Sequence, residues 1–361
     1  MNTIRRARPR RAPTESDVAE LAGVSQSAVS RAFTPGASVA EATRKRILEA
    51  AQTLGYQPNL MARSLATRRS NIVALAISYL ENPFYAQVVN ALSDRLRESG
   101  RHILLFTNPP GEAADPAVER VLSYQVDAII LTATTASLDL ALQCQKSGVP
   151  IVQINRESSL PGISTVRGEN QRAGERIAAF LLAGGHKRCA FVGGSPISTV
   201  GRTRGEAFAG FLSAHGAPPV AMVHGDYTFD GAARAVRELL NAPERPDAIF
   251  CASDYMAFAA VGVARREFGL RIPEDLSVVG FDDVPEAGET AYDLTTYSQP
   301  AAALVEEAIK IIDMMIEDPT RRALRREVRG RLVVRGSARV PEKGVIVENG
   351  ERIWRGIRTG S

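Results

Sequence analysis

Cysteine is scarce in this 361-residue chain, and the three that occur, Cys144, Cys189 and Cys251, are too far apart for a zinc site or a disulfide framework. Each sits in or beside an apolar stretch, which predicts reduced, mostly buried thiols. The four histidines (His102, His186, His215, His224) are scattered, so they suggest no metal or catalytic cluster. No apolar run approaches the roughly 18 residues that span a bilayer, and no signal-peptide-like segment follows the arginine-rich N-terminus. The expectation is a cytoplasmic protein without a membrane partner. The motifs G-x-G-x-x-G, G-x-x-x-x-G-K-[ST], G-x-S-x-G and H-E-x-x-H are all missing, and the glycine/serine-rich stretch at 193–201 lacks the lysine of a phosphate loop. No enzyme activity, cofactor or metal is therefore expected.

What is present is an uneven charge. Residues 1–70 hold 12 basic and 5 acidic residues, 321–361 hold 12 and 4, and the middle holds 20 and 31, so net charges of +7 and +8 flank −11. A basic end on an acidic body points to a polyanion as partner. Residues 1–13 read as a basic disordered arm, either solvated or attracted to phosphates, and 341–361 as a loose basic C-terminal tail. Between about Ile72 and Val340, short apolar runs such as IVALAI, AIIL, CAFVG and SVVGF alternate with amphipathic helices. Nearly unbroken apolar strands are what parallel sheets covered on both faces require. The fold class expected is α/β with two doubly wound parallel sheets, hence two lobes, behind a small all-α head. Ligands of such sheets bind beyond the carboxyl ends of the strands.

The head spans 14–57. Thr14 is a good N-cap with Asp17 three residues on. Val18, Leu21 and Ala22 form an apolar face, and Gly23 permits a tight turn. Ser25 caps a second helix, with Val29, Ala32 and Phe33 inward and Gln26, Ser27, Ser30 and Arg31 outward. A third helix, about 41–54, is expected to bury Ile47, Leu48, Ala51 and Leu54 and to expose Arg44, Lys45 and Arg46. This is the layout of a helix-turn-helix, although a neutral three-helix module reads much the same. The next segment, 58–70, sets Leu65 between Arg63 and Arg68/Arg69. It reads either as an interdomain helix with Leu65 docked on the core or as a minor-groove element with an apolar wedge.

The runs DVAELAGVSQSAVSR, TRKRILEAAQTLGYQPN and ARSLA resemble the DNA-binding head and hinge helix of the lac repressor/galactose repressor family. The likeness continues through NPFY (82–85), GHKRCAFVGG (185–194), ASDYMAFAAVGVARREFGLRIPEDLSVVGFDD (252–283) and LTT (294–296). It implies a transcription regulator, a repressor by family habit, with a sensor domain like the periplasmic sugar-binding proteins. The resemblance sets the domains at 14–57, a hinge at 58–70 and a sensor at 71–340, with lobe 1 about 71–166 and 298–328 and lobe 2 about 167–297 and 329–340. A periplasmic-type sugar binder without a DNA role is the alternative, against which the first 70 residues stand.

By position, the resemblance implies that Gln26 and Ser27 select operator bases in the major groove. Arg31 contacts base or backbone, and Thr14, Ser25, Ser30 and Asn59 belong to the same DNA-binding set. Leu65 enters the minor groove, with Ala62 and Arg63 beside it. Ala40 departs from the usual serine cap of the third helix. In the sensor the resemblance implies an effector site of Phe84, Tyr85, Asn155, Arg204, Tyr227, Ser253 and Asp282; Asp282 could instead cap a turn. Asn155 stands where many members have aspartate and Ser253 where asparagine is common. The effector implied is a small sugar or a sugar acid, and the partners are operator double-stranded DNA and a second copy of the chain. No leucine heptad follows residue 340, which favours a homodimer.

Overall fold

The computed structural model describes residues 11–34, 36–57, 69–109 and 121–356. The chain divides into a unit up to Ser70 and a unit from Asn71 onward.

In the first unit, α1 (Glu15–Ala22), α2 (Gln26–Ala32) and α3 (Glu41–Leu54) enclose a small core of Val18, Ala19, Ala22, Val29, Ala32, Ile47, Ala50 and Ala51. Thr14 and Asp17 form a reciprocal capping box on α1, and Ser25 Oγ accepts from the Ala28 N–H at 3.3 Å to start α2. Gly23 closes α1 in the left-handed conformation, φ 63°. Two expectations change. Leu21 and Leu48 are 53% and 44% exposed, because the small residues Ala19 and Ala50 fill the closely packed inner faces instead. Arg44 turns inward, where its guanidinium donates to the Ala32 and Ala37 carbonyls and ties the end of α2 to α3. The start of α3 carries no side-chain cap at Ala40, so its first N–H groups lack the usual partner.

The second unit contains two sheets. The first has the order β11-β5-β4-β3-β1-β2, built from β1 (Ile72–Ile77), β2 (His102–Thr107), β3 (Ala128–Thr132), β4 (Ile151–Ile154), β5 (Ile163–Gly168) and β11 (Arg325–Val328), all parallel. The second runs β13-β14-β12-β10-β9-β8-β6-β7. Its parallel part is β6 (Cys189–Gly193), β7 (Ala221–His224), β8 (Ala248–Cys251), β9 (Ser277–Asp282) and β10 (Thr295–Ser298). The antiparallel strands β12 (Arg331–Val333), β13 (Val345–Glu348) and β14 (Glu351–Trp354) extend one edge.

Helices cover both sheets. On the first, α4 (Pro83–Glu98) buries Phe84, Val88, Leu92 and Leu96, a four-residue period that lays one stripe on the strands. Each such side chain contributes about 1.5–3 kcal/mol by burial. With it lie α5 (Leu138–Ser147) and α10 (Ala301–Glu317). On the second sheet lie α6 (Asn170–Ala183), α7 (Thr199–Ala214), α8 (Phe229–Asn241) and α9 (Asp254–Arg266). The chain passes between the sheets three times, after Gly168, Ser298 and Val328. All three cysteines are buried and none is in a disulfide.

The C-terminal segment corrects an expectation. Residues 341–356 are not a loose tail: β13 and β14 form a hairpin around Asn349 and Gly350, both at positive φ (51° and 82°). An Asn-Gly pair suits that two-residue turn. Trp354 is buried edge-on against Phe180, ring centroids 5.7 Å apart, and fastens the hairpin to the core. Apolar anchoring outweighs the basic charge that suggested a solvated tail.

Candidate functional site

On the first unit Ser25, Gln26, Ser27, Ser30 and Arg31 are exposed, and Thr14 is half-buried. Ser27 Oγ lies 2.9 Å from Ser25 Oγ, and Arg31 Nε donates to the Ser27 carbonyl at 3.2 Å. The face of α2 therefore offers short polar groups and one guanidinium to solvent, with only local bonds to break. Asn59, Ala62, Arg63 and Leu65 lie outside the described residues.

In the second unit, a cleft at the carboxyl ends of the strands gathers Phe84, Tyr85, Asn155, Arg204, Tyr227, Ser253 and Asp282 around one cavity of about 30 Å³. That space holds about two waters and is far below the roughly 300 Å³ and upward of ligand pockets. Five lining residues, Tyr79 (φ 57°), Ala133 (57°), Asn155 (55°), Tyr227 (57°) and Asp282 (125°), have positive φ. Backbone strain of this kind in non-glycine residues persists where the surroundings enforce it and concentrates at functional sites.

Arg204 is 2% exposed and densely bonded. Its Nε donates to Asn170 Oδ1 (2.8 Å), Nη1 to the Ala252 carbonyl (2.8 Å) and Nη2 to Gln299 Oε1 (3.3 Å), while its guanidinium carbon lies 3.4 Å from the Phe281 ring centroid. Asn170 follows the first passage between the sheets and Gln299 the second, so one cleft residue is tied to both. Asp282 is buried, and burial holds its carboxyl well above the usual carboxylate range, opposed by the Arg204 charge and an Asn82 hydrogen bond. Behind it Asp254, fully buried, is pushed up to about 7 by burial, although Thr296 Oγ1 (2.6 Å) and the Val284 N–H (2.9 Å) donate to it.

Tyr227 occupies a slot made by two glycines. A Cβ on Gly194 would stand 1.9 Å from the ring, and one on Gly201 2.4 Å from its hydroxyl. The hydroxyl lies 3.3 Å from Ser198 Oγ, which caps α7. Across the cleft Tyr79 meets Tyr227 edge to face, centroids 5.9 Å apart. Ser253 is occupied as the N-cap of α9, accepting from the Met256 N–H at 3.3 Å. Asn155 is buried with no partner for Oδ1.

Sequence reasoning missed Tyr79, Asn82, Arg156, Ser195 and Ser198 as lining residues and Asn170 and Gln299 as supports of Arg204. Arg156 stood beside Asn155 and was within reach. Asn170 and Gln299 are 34 and 95 residues from Arg204 and carried no local signal.

With this geometry in view, two family models match the chain. Residues 14–59 match bacterial regulatory proteins of the lacI family, and 178–338 match a periplasmic binding protein-like domain. The HTH-type transcriptional regulator CelR of Thermobifida fusca is 33% identical over 337 residues, covering 91% of this chain and 99% of that protein. Among solved structures, the lac repressor dimer bound to operator and the anti-inducer ONPF superposes with a TM-score of 0.81 at 26% identity, covering 91% of this chain and 99% of that one. A transcriptional regulator CelR–cellobiose complex superposes at 0.67 with 32% identity, covering 90% of this chain and 100% of that one.

Proposed function

This chain belongs to the lacI family of bacterial regulatory proteins, and on that premise we propose that it is an operator-binding transcriptional repressor switched by a small sugar or sugar derivative. It is a regulator and not an enzyme, and it acts as a homodimer on double-stranded DNA in the cytoplasm, at the nucleoid. One observation carries the reading: an exposed polar recognition face and a tightly built two-walled cleft occur on one chain.

In this mechanism α2 enters the major groove, where Gln26 and Ser27 face base edges and Ser25, Ser30, Arg31 and Thr14 face phosphates and flanking bases. Asn59, Ala62, Arg63 and Leu65 form the hinge element, which pairs with its copy in the minor groove and opens a base step. The effector sits among Phe84, Tyr85, Asn155, Arg204, Tyr227, Ser253 and Asp282. Arg204 carries its presence to both passages between the sheets. The effector moves the DNA-competent population only by its difference in affinity for the two arrangements of the lobes. The cellobiose of the CelR complex supports a sugar as the ligand class.

The test is binding of the purified protein to its own upstream intergenic DNA, with Leu65→Ala in parallel, across sugars and sugar acids. A specific shift, weakened in Leu65→Ala and altered by one compound, is expected. Equal binding to all sequences with no compound effect contradicts the reading.

A further inference from the structure

Two guanidinium groups line the cleft, and they differ in what they already touch. Arg204 is enclosed by its three acceptors and the Phe281 ring. Arg156 follows β4 on the opposite wall, is half-buried, and neither donates to an acceptor nor pairs with a carboxylate among the described residues. It lines the cavity together with Tyr79 and Tyr85.

Asp282 is the one acidic side chain among the described residues lining the cavity, and burial favours its neutral form. No described carboxylate in the lining pairs with Arg156. A guanidinium presents five donors in a planar fork that fits carboxylate and phosphate oxygens. Beside it, Asn155 supplies a neutral amide instead of a second carboxylate, and its buried Oδ1 has no protein partner.

We infer that Arg156 is the counter-ion for an anionic group on the effector, so that the ligand is an acidic sugar derivative, carrying a carboxylate or a phosphate, and not a neutral sugar. This rests on the cleft being the effector site. Hydroxyls of the sugar ring take the Asn155 and Asp282 side, and the acidic group takes the Arg156 fork.

The experiment is calorimetric titration of the full-length protein with matched pairs: glucose with glucuronate, gluconate and glucose 6-phosphate; galactose with galacturonate; cellobiose with cellobionate; ribose with ribose 5-phosphate. Inorganic phosphate and acetate are further probes. At least one acid is expected to bind about 10- to 100-fold more tightly than its neutral parent, as loss of a charge-assisted fork implies. Arg156→Gln should remove that preference and Arg156→Lys restore part of it. The same charge change in Arg202→Gln, an exposed neighbour beside Glu206, should leave it intact. A carboxylate preference and a phosphate preference appear in different arms and identify the source of the charge. Neutral sugars that bind as tightly as their acids, with binding lost in Tyr227→Ala, overturn the anionic ligand and leave the cleft as the site. An acid preference that survives Arg156→Gln overturns the role of Arg156. Absence of binding by every probe overturns this inference together with the sugar reading of the cleft.

Discussion

The two walls of the cleft differ in how much of their chemistry is already spent. On the wall from the second sheet, Arg204 has three protein acceptors, Ser253 caps a helix, Tyr227 is seated on two glycines and Asp282 faces Arg204. On the wall from the first sheet, Asn155 Oδ1 lacks a partner, Arg156 is unpaired among the described residues, and the nearby buried hydroxyls of Ser78 and Thr132 also lack one. A satisfied polar group stabilises the fold, whereas a spare one is available to a ligand and gives the folded protein little by itself. Substitutions on the second wall should therefore act first on stability, and those on the first wall on recognition.

Arg204→Ala should give the largest effect. It leaves three buried acceptors, on Asn170, Ala252 and Gln299, without their donor, a loss of at least about 3 kcal/mol at about 1–3 kcal/mol for each buried group left unmade, read by chemical denaturation. A loss below about 1 kcal/mol would mean that the network yields to water easily, and the contrast between the walls would fail.

Gly194→Ala comes next, because its methyl carbon collides with the Tyr227 ring. Overpacking of this kind costs about 1–3 kcal/mol, and the displaced ring should blunt the effector response. In a Tyr227→Ala background the same change should cost almost nothing, a coupling that a double-mutant cycle measures directly. Equal costs in both backgrounds would show that Tyr227 does not fill the slot.

The carboxyls of the second wall add a pH signature. Asp254 is raised from an ordinary 3.8 to about 7, so between these values the folded state holds a proton that the unfolded chain has released. Its contribution is complete below about pH 4 and disappears as pH rises through 7, with a slope of at most about 1.4 kcal/mol per pH unit. Asp254→Asn, which keeps the shape and lets the Thr296 hydroxyl reverse its bond, should flatten stability between pH 4 and 7. An unchanged slope assigns the dependence to Asp282 or another group.

These contrasts were unevenly legible in the sequence. Features set by neighbours in the chain could be read directly: the caps at Thr14 and Ser25, the outward face of α2 and the apolar parallel strands. The seven cleft positions came from resemblance, and whether each is spent or spare depends on partners brought in by the fold. Arg204 read as a ligand grip because its acceptors lie in three distant segments. Arg44 read as exposed because helical period places it outward, while its length lets the guanidinium reach back to carbonyls. The Asn-Gly turn after 348 was a legible hairpin signal that the basic charge of the tail masked.

The smallest stability effect belongs on the first wall. Asn155 has φ 55°, a conformation that glycine adopts without strain, and its Oδ1 bonds to nothing in the protein. Asn155→Gly keeps the N–H that donates to the Val166 carbonyl at 2.8 Å and removes only the side chain. Stability should change by no more than about 1 kcal/mol, the added freedom of the unfolded glycine offsetting the relieved strain. Effector affinity should fall about 2- to 12-fold, the value of one hydrogen bond of about 0.5–1.5 kcal/mol. Thermal denaturation and calorimetric titration of the same preparation separate the two quantities. If Asn155→Gly unfolds the protein as readily as Arg204→Ala does, the amide supports the fold and the first wall is as fully committed as the second.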